Sequence, residues 1–173
     1  MSLYLYEITP ADADTDAVLK EVDVLTQRHG GELIEAQVTA AHRIFAVAEF
    51  SAGDPPSLDA SVLGGAEVAG PHQVRLVGAA LDDLKAARPG AGYLVEWDLP
   101  AELDMDTYLA RKKANAPRYA DVPEVSFLRT YVREDTVKCL CFYDAPDEAA
   151  VRRARDAVST PIDRLHRLDE DRR

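Results

Sequence analysis

The residues that could carry chemistry in this 173-residue chain are few and scattered. Its two cysteines, Cys139 and Cys141, lie two positions apart in a run rich in β-branched and aromatic residues. In a strand, this spacing places both thiols on one face with their Cα atoms about 6.5–7 Å apart, which disfavours a disulfide between them. Each thiol could face a cavity as a metal ligand or nucleophile, or could be a small apolar core residue. The strong burial tendency of free cysteine favours the core.

The four histidines show no spacing typical of a metal site, since neither H-x-H nor H-x-x-x-H occurs among His29, His42, His72 and His166. The glycine-rich nucleotide-binding motifs, G-x-S-x-G, H-E-x-x-H and paired C-x-x-C are also missing from the sequence. An enzyme built on this chain would therefore need an active site assembled from residues far apart in sequence.

Two tyrosines, Tyr131 and Tyr143, are predicted to lie on neighbouring strands of a hairpin. A pair of phenols at the mouth of a cavity could bind a ligand or donate a proton. Cross-strand aromatic packing, which stabilises many sheets, is the more ordinary arrangement.

Cationic side chains are frequent in the C-terminal part of the chain, and most are predicted to lie on solvated faces. The arginines among them are predicted to pair with nearby aspartates. The pairing is predicted for Arg152, Arg153, Arg155, Arg164 and Arg167 with Asp156, Asp163 and Asp169, whereas the run Arg111-Lys112-Lys113 is predicted only to face outward on its helix.

The elements that must position these residues follow the same order twice, β-α-β-β-α-β. In residues 1–78 we predict strands at 3–8, 32–39, 43–50 and 67–77, the last interrupted at Gly70-Pro71, and helices at about 14–29 and 57–63. In residues 92–168 we predict strands at 93–99, 125–132, 137–143 and 162–168, and helices near 104–116 and 147–158. Asp144 is the predicted N-cap of the last helix. Residues 79–91 form the predicted linker and residues 169–173 a frayed tail.

Each copy has the pattern of a ferredoxin-like unit, an antiparallel sheet with both helices on one face. The central strands are largely apolar on both sides: Cys139, Cys141 and Tyr143 alternate with Leu140 and Phe142. Strands of this kind are buried on both faces. We therefore predict an α+β protein of two tandem ferredoxin-like units packed as an internal pseudo-dimer, resembling the dimeric α+β barrels built from separate chains.

Composition limits the classes of partner. The formal net charge of -11 argues against nucleic-acid binding, which needs clustered Lys and Arg. No apolar run reaches the ~18 residues of a membrane span, and the N-terminus meets Glu7 too early for a signal peptide. We predict a soluble cytoplasmic protein, and further homodimerisation stays open.

Four runs of the C-terminal half resemble a known family. They are YLVEWDLP from Tyr93, FLRTYV from Phe127, CFYDAP from Cys141 and TPIDRL from Thr160. On these runs, residues 92–168 resemble a small bacterial family of domains of unknown function (DUF4242), whose named members are called nickel-binding proteins. The chain departs from the family pattern at Arg129, where the family has a strand histidine, and at His166, where an acidic residue is frequent.

The resemblance implies a ferredoxin-like fold for residues 92–168 and suggests nickel as a ligand. Nickel accepts imidazole and carboxylate donors, so His166, Glu96 and Cys141 are the candidate metal ligands. A guanidinium cannot ligate a cation but can bind a carboxylate or phosphate, so Arg129, Tyr131 and Tyr143 are candidate ligand-binding residues.

The first functional hypothesis is a non-enzymatic protein that holds a metal ion or a small molecule in or near the inter-sheet cavity. Two alternatives stay open. One is a cofactor-free enzyme of the α+β-barrel kind, such as a monooxygenase, isomerase or cyclase that acts on a small organic substrate. The other is a structural or regulatory module that works by assembly.

Overall fold

The computed structural model describes residues 2–12, 14–51, 55–87 and 91–169. It divides into two compact units, an N-terminal unit (Met1–Val74, Asp82–Pro89 and Asp169–Arg173) and a C-terminal unit (Arg75–Leu81 and Gly90–Leu168). Part of the predicted linker, residues 88–90, and most of the predicted frayed tail, residues 170–173, lie outside the described residues.

Eight strands and four α-helices are present in the described residues. In chain order they are β1 (Ser2–Thr9), α1 (Thr15–Arg28), β2 (Gly31–Val38), β3 (Ile44–Phe50), β4 (Glu67–Val77), α2 (Leu81–Ala87), β5 (Tyr93–Asp98), α3 (Met105–Asn115), β6 (Ser126–Arg133), β7 (Lys138–Asp144), α4 (Glu148–Ala157) and β8 (Arg164–Arg167). A 3₁₀ helix at Ala116–Asp121 follows α3. No helix in these ranges is both long enough and apolar enough to cross a membrane.

The N-terminal unit is built on antiparallel strands in the order β2-β3-β1-β4. Helix α1 begins after Asp14, whose carboxylate accepts the N–H of Ala17 at 3.1 Å, and it buries Val18 and Val22 in the core. Strand β3 is buried at every position, as its apolar residues on both faces predict. The strand around Gly70-Pro71 is continuous, and the register of β1 against β4 shifts opposite it, between Leu5 and Glu7.

The helix predicted at residues 57–63 is wrong, because this segment contains turns and no α-helix. The Asp59 side chain accepts the N–H of Ser61 at 2.9 Å, a local bond that competes with helix formation. Leu58 and Leu63 are still buried in the core. The apolar pattern therefore predicted the burial of these residues correctly, although it did not predict their backbone conformation.

The C-terminal unit has the predicted β-α-β-β-α-β order, with antiparallel strands arranged β6-β7-β5-β8. Helix α3 is capped by Asp104, whose carboxylate accepts the N–H of Thr107 at 2.7 Å. Helix α4 is capped by Asp147, whose carboxylate accepts the N–H of Ala150 at 2.8 Å. The predicted cap at Asp144 is wrong, because β7 continues to that residue.

The register of the C-terminal sheet decides which side chains share a face. Cys141 lies opposite Val95 on β5 and Thr130 on β6, whereas Glu96 lies opposite Leu140. Because neighbouring residues of a strand point to opposite faces, Cys141 lies on the face that packs against the helices and Glu96 lies on the other. We call these the helix face and the open face. The packing of the two units as a pseudo-dimer stays a prediction.

A register shift in β6 determines which of its side chains lie on each face of the sheet. Phe127 lies opposite Tyr143, but Arg129, two residues later, lies opposite Phe142. One extra residue is therefore accommodated at Leu128, and this bulge reverses the alternation. Phe127 consequently packs on the helix face, whereas Arg129 lies on the open face.

Candidate functional site

The most concentrated set of charged groups on the open face surrounds Glu96, which is fully buried on β5. Lys138 Nζ donates to Glu96 Oε1 at 2.8 Å, and Arg164 Nε donates to Oε2 at 2.9 Å. His166 Nε2 lies 2.7 Å from the same Oε2. Strands β7 and β8 flank β5 and bring these three partners to Glu96.

The protonation state of Glu96 follows from these contacts. Burial alone would raise the pKa of Glu96, but hydrogen bonds from His166, Lys138 and Arg164 outweigh it and hold the pKa well below its usual range. Arg164 also forms a bidentate pair with Asp98, with Nη1 2.9 Å from Oδ2, and this bond lowers the pKa of Asp98. Glu96 is therefore a carboxylate at neutral pH, held by two permanent cations and one imidazole.

The structure brings together two of the three predicted metal ligands. Glu96 and His166 are in direct contact, whereas Cys141 lies on the opposite face of the same sheet. Across the described ranges, no group of three or more His, Cys, Asp and Glu side chains could together hold a metal ion. The donor types at Glu96 and His166 suit nickel, and they supply two positions.

Cys141 lies in a polar pocket of the core on the helix face. Thr130 Oγ1 donates to its Sγ at 3.2 Å, Lys112 Nζ lies at 3.9 Å, and the Sγ of Cys139 also lies at 3.9 Å. A hydrogen bond from Cys139 and the positive charges of Lys112 and Arg155 lower the pKa of Cys141 well below its usual value, against the opposing effect of burial. Burial raises the pKa of Cys139. Both thiols are almost fully inaccessible to solvent, so the expected core location is confirmed.

The three predicted ligand-binding residues do not share a face. Arg129 and Tyr131 both lie on the open face, with the Arg129 guanidinium 4.9 Å from the centre of the Phe142 ring. Tyr143 lies on the helix face, where its hydroxyl is 2.7 Å from the Tyr119 hydroxyl. All three side chains are buried.

Arg155 is a residue of the site that sequence reasoning missed. It was expected on a solvated helix face, but it is 1% exposed. Its Nη1 donates to the Tyr143 hydroxyl at 3.0 Å and its Nη2 donates to the Pro161 carbonyl at 2.6 Å. The signal was present in α4, because Arg155 lies four residues after buried Val151 and three before buried Val158.

Arg155 also lines a cavity of about 40 Å³ on the helix side of the C-terminal unit. Substrate pockets usually measure about 300–1,000 Å³, so this cavity is small for an organic substrate. It is enclosed by α3, the 3₁₀ helix, the end of α4 and the sheet.

Comparison with protein families gives a match in the C-terminal unit. A family model described as "Nickel responsive protein SCO4226-like" matches residues 93–168. This is the stretch that resembles nickel-binding proteins in its sequence, so the match is consistent in kind with the family predicted there, although it does not show the name DUF4242. A search of curated proteins gave no match.

Comparison with solved structures concerns the fold alone. The chain is similar to the crystal structure of a putative chlorite dismutase, TA0507, with a TM-score of 0.55 and 18% identity over 98% of this chain and 96% of that one. A microcompartments protein from Desulfitobacterium hafniense DCB has a TM-score of 0.32 and 13% identity over 98% of this chain and 96% of that one, which is too low to support an argument. The comparisons therefore show an α+β fold of the ferredoxin type, with a nickel-responsive match confined to the C-terminal unit.

Proposed function

We propose that this is a small metal-related binding protein that responds to nickel, and that Glu96 and His166 are its metal donors. The observation that supports this most directly is the 2.7 Å contact between His166 Nε2 and Glu96 Oε2, inside the stretch matched by the nickel-responsive family model. A neutral imidazole and a carboxylate are both donors that nickel accepts.

The number of donors sets the expected strength of binding. Square-planar and octahedral nickel take about four and six donors, so most positions beyond Glu96 and His166 would be filled by water. Cys141 is not a donor in this proposal, because it lies on the other face of the sheet. We therefore expect weak, reversible binding, which suits a protein that responds to the concentration of a metal more than one that stores it.

The cations beside Glu96 make this binding competitive. Lys138 occupies Oε1 and is nearly buried, whereas Arg164 occupies Oε2 and has a 40% exposed side chain. Arg164 also has Asp98 as a second carboxylate partner. Arg164 is therefore the group that a nickel ion would displace, and removing its charge should strengthen nickel binding.

The test is a nickel titration of untagged protein, read by melting temperature and by calorimetry. The wild type should show a saturable rise in melting temperature that His166→Gln abolishes. His29→Gln is the matched control, because His29 is exposed at the end of α1, and its ring nitrogen lies 2.8 Å from the local Leu25 carbonyl oxygen. Arg164→Gln should bind nickel more tightly than the wild type. Nickel binding that survives His166→Gln unchanged, or is weakened by Arg164→Gln, would refute the assignment.

The enzymatic alternative calls for an enclosed pocket of substrate size. The cavity on the helix side has inward tyrosine and arginine side chains, but at about 40 Å³ it is too small for the aromatic or polyketide-like substrates of that hypothesis. Binding is therefore the function that we propose. The roles of Arg129, Tyr131 and Tyr143 in ligand binding, homodimerisation and a cytoplasmic location stay predictions.

A further inference from the structure

The cavity on the helix face of the C-terminal unit has the composition of a binding site separate from Glu96. Four aromatic and three cationic side chains are among the residues that line it. A water molecule needs roughly 10–15 Å³ of such space, so a cavity of about 40 Å³ holds about three to four non-hydrogen atoms.

The walls of the cavity are largely aromatic. The rings of Tyr119 and Phe127 stack with their centres 5.5 Å apart and their planes within 5° of parallel. Trp97 and Tyr108 form a second pair with ring centres 5.9 Å apart. Very little polar surface faces the interior, so the cavity suits a short apolar chain better than ordered water.

Three cationic side chains stand among these aromatic walls. Arg111 and Arg155 lie 5.8 and 5.9 Å from the centre of the Trp97 ring, and Lys112 Nζ lies 4.5 Å from the centre of the Phe127 ring. Among the residues that line the cavity, none is acidic. Within the described ranges, none of the three cations forms an ion pair with a carboxylate, which is unusual in a protein of net charge -11.

The hydrogen-bond acceptors of Arg111 and Arg155 are neutral oxygen atoms, and Lys112 Nζ lies 3.9 Å from the Cys141 sulfur. Arg111 Nη2 donates to the Ser159 carbonyl at 3.3 Å, and Arg118, at the same surface, donates to the Ser159 hydroxyl at 3.3 Å. Buried Arg155 has no acceptor for its Nε–H in the part of the chain that the structure describes. Beyond the Cys141 sulfur, these cations have no anionic partner among the described residues, so the surface they share favours an added anion.

We propose that this cavity binds a short aliphatic monocarboxylate, with the alkyl chain between the aromatic walls and the carboxylate at Arg111 and Lys112. The size of the cavity limits the chain to about three or four carbons. An aromatic acid would exceed this volume. The site lies on the helix face, whereas Glu96 points to the open face from the adjacent position on β5, so the two proposals are independent.

Trp97 makes the test direct, because it is the only tryptophan of the chain and lines the cavity. Butyrate is titrated into the intact protein against chloride at constant ionic strength, and tryptophan fluorescence is followed. We expect a saturable change with butyrate and with propionate. 1-Butanol, which has the same number of carbons but no charge, should bind at least about ten-fold more weakly, as should octanoate, which is too long.

The matched variants are Lys112→Met and Lys113→Met, because the two lysines are neighbours on α3 and only Lys112 lines the cavity. Loss of one charged hydrogen-bond donor should weaken butyrate binding about ten-fold in Lys112→Met. Lys113→Met, with the same change of net charge, should bind butyrate as the wild type does. If Lys112→Met does not fold, Arg111→Gln takes its place, since Arg111 is exposed.

Three results would overturn the proposal. They are no saturable fluorescence change with either short acid, equal affinity for butyrate and 1-butanol, and equal affinity of the Lys112→Met and Lys113→Met variants for butyrate. The second would show an apolar cavity without a role for the cations, and the third would show attraction by the overall surface charge alone.

Discussion

Replacing Glu96 by glutamine should destabilise the protein more than any other single loss of a negative charge on β5. The substitution keeps the shape of the side chain but removes the charge that Lys138, Arg164 and His166 share. The Lys138 side chain is only 11% exposed, so the variant leaves a nearly buried ammonium without its carboxylate. Removing one partner of a buried ion pair typically costs about 3–5 kcal/mol.

The magnitude at this site should lie at the lower end of that range. The glutamine carbonyl can still accept from Lys138, and the 40% exposed Arg164 can turn to Asp98. We therefore expect a loss of about 3 kcal/mol in the free energy of unfolding at neutral pH. For a chain of this length, this corresponds to a melting temperature lower by roughly 6–12 °C.

Asp98→Asn is the matched control for this experiment. It makes the same chemical change two residues away on the same strand and touches the same Arg164. Because the Asp98 side chain is 50% exposed, we expect a loss below about 1 kcal/mol. Urea and thermal unfolding, followed by circular dichroism, measure both variants. If Glu96→Gln melts within about 2 °C of Asp98→Asn, the buried network contributes no more than a surface ion pair, and the reasoning is refuted.

The pH dependence gives a second readout of the same variant. The pKa of Glu96 is lower in the folded protein than the ~4.3 of an unfolded glutamate, so its contribution is complete above the unfolded value. The contribution is lost as the pH falls through the folded pKa. The stability difference between the wild type and Glu96→Gln should therefore be constant from about pH 6 to 8 and should shrink below about pH 4. A difference that grows towards acidic pH would contradict the assignment.

Two further substitutions test the packing of the C-terminal unit. Cys141→Ser should leave the circular dichroism spectrum unchanged but lower the free energy of unfolding by about 1–2 kcal/mol. The reason is that the thiol is 1% exposed and packed against Thr130. An unchanged urea midpoint would argue against this burial. Gly78→Ala should cost about 1–3 kcal/mol more than Gly64→Ala in the same assay. Both glycines have positive φ, but of the two only Gly78 has a neighbour that an added Cβ would meet, the Phe127 ring at 2.7 Å. An equal loss of unfolding free energy in the two variants would show that the ring moves freely.

Local sequence signals predicted the elements of the C-terminal unit well. Its strands and helices follow the predicted order because each depends on neighbours in the chain, and in the structure Asp104 and Asp147 cap the two helices. Where two signals competed within a few residues, the prediction failed. The cap of the last helix was predicted at Asp144, but Asp147 supplies it, and the helix predicted at residues 57–63 is replaced by turns that include the Asp59–Ser61 bond.

The candidate sites were less predictable, because each depends on the register between strands. The sequence shows the alternation of side chains within β7. It does not show which residues of β5 lie on the same face as Cys141, because that depends on the register between the two strands. The bulge at Leu128 gave no sequence signal, and it places Phe127 and Arg129 on opposite faces. The helical spacing of Arg155 relative to Val151 and Val158 indicates burial. The residue was nevertheless predicted to be solvated, because arginine side chains are usually exposed.

The sequence by itself determined that residues 92–168 form a β-α-β-β-α-β unit, that its central strand is buried on both sides, and that Cys139 and Cys141 belong to the core. Periodicity and capping act over a few residues and can be read from the chain. Only the tertiary structure decided that Glu96 meets His166 while Cys141 meets Lys112. These contacts join residues 29–70 positions apart. Strand pairing sets the first and the packing of α3 on the sheet sets the second, and both are properties of the folded unit.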